Sequence, residues 1–184
     1  MSAFEYLSVF ISIILGLAVV HLLGGVSLII DQRVRARLDA IHMLWVLNMF
    51  TLITWVWWGN WQLNDVVAFS SLHYVAMVMF SVVVYLMCGL LFPVRGKEVE
   101  DFHEQFEMNR SRFFYLGLAL AVAALLKGHV DRQVLEEPDT IERAFALAAV
   151  ALGFVAAAHT RHRLYHGALA SLFLALLMRL IFTE

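Results

Sequence analysis

From Tyr6 to Ile30 the chain carries no Asp, Glu, Lys or Arg. Wound as a helix, that run is about 37 Å long, enough to cross the ~30 Å hydrocarbon core of a bilayer. It opens as MSAFEYLSVF, without the basic start of a secretory signal, and no small-residue cleavage pattern closes it. It is therefore expected to stay in the protein as a helix. The rest of the 184 residues agrees, since 62% of them are apolar and only 15% are charged, which is not the composition of a soluble domain.

The same reasoning divides the whole chain. An all-α bundle of six transmembrane helices is expected, with spans over about residues 5–30, 40–62, 67–93, 110–128, 141–160 and 164–182. Between residues 40 and 94 the only formal charge is Asp65, so spans two and three meet in the tight turn WWGNWQLND. Pro93 ends span three. The uncharged part of span four, Phe113 to Leu126, is short, and Arg110, Arg112 and Lys127 extend it by snorkelling. Asp139 and Glu142 form a capping-box-like start for span five. The link HTRHR has no Gly or Pro, but one helix through spans five and six would be about 63 Å long, twice the hydrocarbon thickness, so a reversal is expected there. Six spans form a single transmembrane domain, with no length left over for a soluble catalytic one.

Charge sorts the links into two sides. Arg33, Arg35, Arg37, Arg95, Lys97, Arg110, Arg112, Arg161 and Arg163, nine of the thirteen basic residues, follow odd-numbered spans. By the positive-inside rule that side is cytoplasmic and both termini lie outside. All five tryptophans are in span two, and Trp55, Trp57, Trp58 and Trp61 crowd its outer end, where indoles prefer the headgroup boundary. The set Trp55, Trp58 and Trp61 reads as an outer aromatic vestibule. In the cytoplasmic link between spans three and four, Val99, Phe102, Phe106 and Phe113 recur at helical spacing among acidic residues. A short amphipathic helix lying on the membrane is expected there.

Ionisable and polar side chains inside the bilayer are the candidates for function. Counting from the turn between spans one and two places His21 and Asn48 at one depth, and span three brings Ser81 and Tyr85 to about the same layer. This polar layer is either interhelical glue or the lining of a path in which His21 titrates. His159, His162 and His166 are spaced to share one helix face as a metal site wants, but the chain reversal interrupts that face. Arg161 and Arg163 make an interfacial basic cluster the alternative. His73 and His129 are a candidate axial pair for haem b, as is His21 or His42 with His166. No cofactor is otherwise expected, and no Walker loop, serine elbow or paired carboxylates mark an enzyme. A net charge of -2 offers no polybasic tail for nucleic acid, and the single cysteine, Cys88, allows no internal disulfide. Ser8, Ser12 and Gly16 on span one and the Ala- and Gly-rich span five would let helices approach closely, within one chain or between copies of a homo-oligomer.

The opening FEYLSVFISIILGLAVVHLL, with HMLWVLNMF in span two, LLFP ending span three and NRSRFFYLG opening span four, resembles a widespread group of small bacterial multi-span proteins. The likeness covers about residues 4 to 118 and implies a bacterial inner-membrane location. The six-span size also looks like the substrate-binding components of vitamin uptake transporters. Three functions follow as expectations. The first is a homo-oligomeric permeation protein, channel or carrier. The others are a haem-binding membrane electron carrier and a membrane solute-binding component of an uptake transporter.

Overall fold

The computed structural model describes residues 3–31, 37–64, 69–92, 100–135 and 141–183. Among them lie six helices: α1 (Ala3–Ile30), α2 (Ala40–Trp61), α3 (Ser71–Leu91), α4 (Phe102–Leu135), α5 (Ile141–His159) and α6 (Arg163–Thr183). All six are long and apolar enough to cross a membrane. The protein is an integral membrane protein by that architecture. Arg33, Arg35, Asp65, Pro93, Arg95, Lys97, Val99 and Asp139 of the links lie outside the described residues.

Successive helices run antiparallel, so the molecule has a terminal end, bearing both chain ends, and a junction end, where α2, α4 and α6 begin. Local chemistry starts these helices where they start. The Asp39 carboxylate accepts from His42 N at 2.9 Å, Ser70 Oγ from His73 N at 3.1 Å, and the Asp101 carboxylate from His103 N at 2.7 Å. Each satisfies one of the backbone donors that a helix leaves unpaired at its start. At the junction end Arg37 N donates to Glu100 O and Phe102 N to Arg37 O, both at 3.0 Å. That short bridge ties the approach to α2 to the approach to α4.

α3 packs along α1 and α4, α4 along α5, and α2 along α6. At their centre is Trp45, fully buried, with the rings of Phe113, Phe114, Phe173 and Phe154 at 5.1, 5.4, 5.8 and 5.9 Å between centroids. Aromatic rings from α2, α4, α5 and α6 thus close the middle of the bundle with edge-on and tilted contacts. Large apolar side chains also face outward: Tyr6, Val20, Leu152 and Leu164 are all mostly exposed, as expected where lipid is the solvent. Gly117 makes the α4–α5 approach possible, because a Cβ there would stand 2.7 Å from the Phe154 ring.

The fourth helix departs from expectation. Rather than a short surface helix followed by a span, α4 is continuous from Phe102 to Leu135. Its first turns turn Phe102, Phe106 and Phe113 into the core, each almost fully buried, and not onto a membrane surface. Arg110 explains why. Instead of snorkelling, it is buried, donating from Nη1 to Ala157 O at 2.8 Å, to Ala158 O at 2.9 Å and to Thr160 O, and from Nε to the Glu107 carboxylate at 3.2 Å. Its guanidinium caps the carbonyl end of α5, where the helix dipole favours a cation.

Candidate functional site

The four residues of the expected polar layer do not converge. Asn48 Nδ2 donates to Leu44 O and across to Ala170 O of α6, both at 2.9 Å. Ser81 Oγ donates to Met77 O of its own helix, and Tyr85 is exposed. His21 lies at the junction end, beside the C-cap of α3. Its ring meets Phe92, the residue that ends α3, at 6.5 Å, and Phe92 also meets His42 at 5.3 Å. The neighbour of His21 across that ring is therefore His42, not Asn48.

His42 and His166 are the histidines that sequence reasoning underrated. Both are almost completely buried. His42 Nε2 donates to Leu91 O at 2.6 Å and its ring stacks on Phe102 at 4.9 Å. His166 Nε2 donates to Thr160 O at 3.0 Å and stacks on Phe114 at 5.4 Å. Phe106 stands between them, 6.4 Å from one and 6.5 Å from the other. Neither ring finds a partner for its Nδ1. A pattern was available in the sequence: His42, Trp45 and Asn48 recur every three residues, and so share one side of α2.

Along that side the chemistry changes with depth. At the junction half, His42 Nδ1, Trp45 Nε1 and Asn48 Oδ1 are buried without hydrogen-bond partners, a distance of about 9 Å along the axis. Met49, Leu52, Ile53 and Val56, all buried, follow. Asn60 then comes at the terminal end, its Oδ1 again buried and unpartnered. Buried polar atoms are nearly always paired, so four such atoms on one helix ask for a cause.

A cleft of about 250 Å³ opens beside Asn60, between the starts of α1 and α3 and the end of α2. Trp57, Trp58 and Trp61 wall it, with Ser8 and Ser12 on the α1 side, and Trp57 Nε1 donates to Ser12 Oγ at 3.3 Å. Trp58 and Trp61 of the expected vestibule belong to this cleft. Trp55 is half-buried against the core instead.

The histidines proposed for metal or haem are dispersed. His73 is fully buried and faces Asp131, whereas His129 is exposed and accepts from Gln133 Nε2 at 2.9 Å. His159 Nδ1 donates to Val155 O at 2.9 Å, His162 is exposed in the break between α5 and α6, and His166 turns inward. The reversal at residues 160–162 separates them. Among the described residues no three His, Cys, Asp or Glu side chains are grouped to hold a metal ion.

At the junction face, Arg163 Nη2 donates to the Asp39 carboxylate at 2.5 Å and Nη1 to His103 Nδ1 at 3.0 Å. Burial alone would raise the Asp39 carboxyl, but the His42 N–H, the Arg163 guanidinium and His103 together hold it below the ordinary carboxylate value. This triad joins the starts of α2, α4 and α6. No known protein family, curated protein or solved structure matches the chain.

Proposed function

We propose that the chain is a gated permeation protein of the membrane, with its path along the buried side of α2. The observation that carries this reading is the sequence of chemistries on that helix: unpartnered polar atoms at Asn60, an apolar stretch from Val56 to Met49, then unpartnered polar atoms at Asn48, Trp45 and His42. Polar stations on both sides of a short hydrophobic constriction are how channels gate by wetting and drying. The tryptophan-walled cleft is then the outer vestibule, and His42, His166 and His21 surround the inner mouth.

Orientation follows the basic residues. Among the described residues, Arg37, Arg110, Arg112, Arg161 and Arg163 all belong to the junction end. This supports a cytoplasmic junction end, both termini outside, and the inner membrane of a bacterium as the setting. Self-association fits Gly16, which has nothing within 4 Å on its open side, so a helix of a second copy can approach it closely.

The test is flux into proteoliposomes, using protons, potassium and glycerol as probes, on the parent and on Asn48→Leu and Asn60→Leu. Either substitution should cut the flux of whichever probe the parent carries by tenfold or more, with folding verified by melting. Flux of all three probes no faster than through protein-free vesicles would reject the reading.

A further inference from the structure

The tryptophan-walled cleft at the terminal end is built from two helix faces. Trp57, Trp58 and Trp61 fall on one side of α2, and Ser8 and Ser12, one turn apart on α1, face them with small side chains that leave the space open. Phe4, Leu7 and Ile11 of α1 and Met77 of α3 complete the lining. From Phe4 to Ser12 the α1 wall runs about 12 Å along the axis. Asn60 stands one residue before the end of α2, so its carboxamide lies near the membrane boundary while Ile11 and Met77 lie deeper.

The polar groups of the cleft are not equally engaged. Trp57 Nε1 donates to Ser12 Oγ at 3.3 Å, and Ser8 Oγ donates to Glu5 O at 3.0 Å. The Asn60 carboxamide oxygen has no partner, although the residue is only 7% exposed. Such an atom is a standing cost until a donor reaches it. We propose that the cleft binds a small neutral aromatic alcohol dissolved in the bilayer, whose hydroxyl donates to Asn60 and whose ring lies against the tryptophans. This site goes beyond the permeation reading and stands on the cleft alone, whether or not the cleft opens onto a path.

Size, charge and wall chemistry select that class. The volume of about 250 Å³ is just below the ~300 Å³ at which ordinary ligand pockets begin, so it holds one substituted ring and not a whole lipid. Among the described residues no charged side chain lines it, and neither an anion nor a cation would find a counter-charge there. Tryptophan rings favour a flat aromatic guest, stacked or edge-on. A hydrocarbon chain would fill the same space yet leave the Asn60 oxygen unpaired. A water needs roughly two to four polar partners, whereas these walls are chiefly ring and alkyl carbon. The Asn60 carboxamide turns on a soft torsion and so reaches the hydroxyl. An amphiphile at this depth already carries its hydroxyl toward the boundary, where Asn60 is, and its apolar body inward.

The experiment is quenching of tryptophan fluorescence in the full chain, in phosphatidylcholine nanodiscs at pH 7, by 4-iodophenol and by 4-iodoanisole. The ether keeps the ring and the iodine but has no O–H to donate. Iodine quenches on contact, and concentrations are counted in the membrane so that partitioning cancels. The phenol should quench saturably and bind at least tenfold tighter than the ether. Asn60→Leu should erase that preference. Ser8→Phe, which fills the cleft from α1 and leaves Asn60 in place, should abolish saturable quenching, and it keeps the test decisive if Asn60→Leu fails to fold. Equal binding of the two probes would reduce the cleft to a groove for any hydrocarbon and overturn the proposal. A preference that survives Asn60→Leu, saturation that survives Ser8→Phe, or quenching that never saturates would overturn it as well. Saturable, Asn60-dependent binding beside absent flux in proteoliposomes would reject the permeation reading while leaving this site standing.

Discussion

Asp39 and Arg163, 124 residues apart, meet at 2.5 Å across the junction face, the carboxylate capping α2 while the guanidinium opens α6. His103 of α4 completes the contact, with Nδ1 3.7 Å from the same carboxylate oxygen. Three helix starts, each with a partial positive charge, converge on one buried anion. The contact closes the bundle where α2, α4 and α6 would otherwise repel.

Acid should loosen this clamp. The Asp39 carboxyl is held below its ordinary value of 3.8 in the folded protein. A depressed carboxyl contributes stability above its unfolded value and loses it as pH falls through the folded one. Asp39→Asn keeps the helix cap and removes the charge, so it should cost about 1 kcal/mol at pH 7, modest because the Arg163 side chain is half exposed. Melting in detergent should show the gap between parent and variant closing below about pH 4. A gap constant from pH 7 to pH 3 would show that the charge contributes nothing.

Arg110 should be far less replaceable. Its guanidinium serves Glu107 and three carbonyls at the end of α5. Arg110→Met leaves those acceptors buried and the carboxylate unpaired, at about 3 to 5 kcal/mol. Arg110→Lys should recover only part of it, because an ammonium does not reproduce the planar fork. Full recovery in thermal unfolding would argue for charge alone.

Sidedness and self-association are open to direct measurement. In a Cys88→Ala background, a cysteine at exposed Gln62 should react with an impermeant reagent added outside, and one at exposed Arg161 should not. The reverse pattern would invert the orientation. Gly16→Leu should convert a detergent-stable oligomer to monomer without lowering the melting temperature. Gly153→Leu should instead destabilise the single chain, because Leu169 lies 3.0 Å from where its Cβ would stand and Tyr165 Oη donates to Gly153 O. A parent monomeric in lipid would remove the interface.

The helices were legible because hydrocarbon thickness and charge-free runs demand them, whatever the packing. Rotation and axial offset were not. A count from the α1–α2 turn assumes that both helices end level, whereas His21 and Gly25 lie against Phe92, which also meets His42 near the start of α2. The amphipathic run from Phe102 reads equally as a surface helix or as the start of a buried one; only Arg110 reaching the end of α5, a contact between residues 47 apart or more, decides between them. The His73–Asp131 pair was hidden for the same reason. Its partners are far apart in sequence, and His129, two residues from Asp131, offered the more obvious match.

Trp45 gives the sharpest separation between packing and permeation. Its indole fills the centre of the aromatic cluster, so Trp45→Ala should cost about 3 to 5 kcal/mol. Trp45→Phe keeps an aromatic ring among Phe113, Phe114, Phe154 and Phe173 but deletes Nε1, a buried donor with no partner. Losing an unsatisfied donor relieves about 1 to 3 kcal/mol, which offsets the smaller ring's lost packing, so melting should hardly change. If the indole N–H is a station on the path between Asn48 and His42, the same substitution should lower flux several-fold in proteoliposomes. Unchanged melting with unchanged flux would confine Trp45 to the core and take the path off this side of α2.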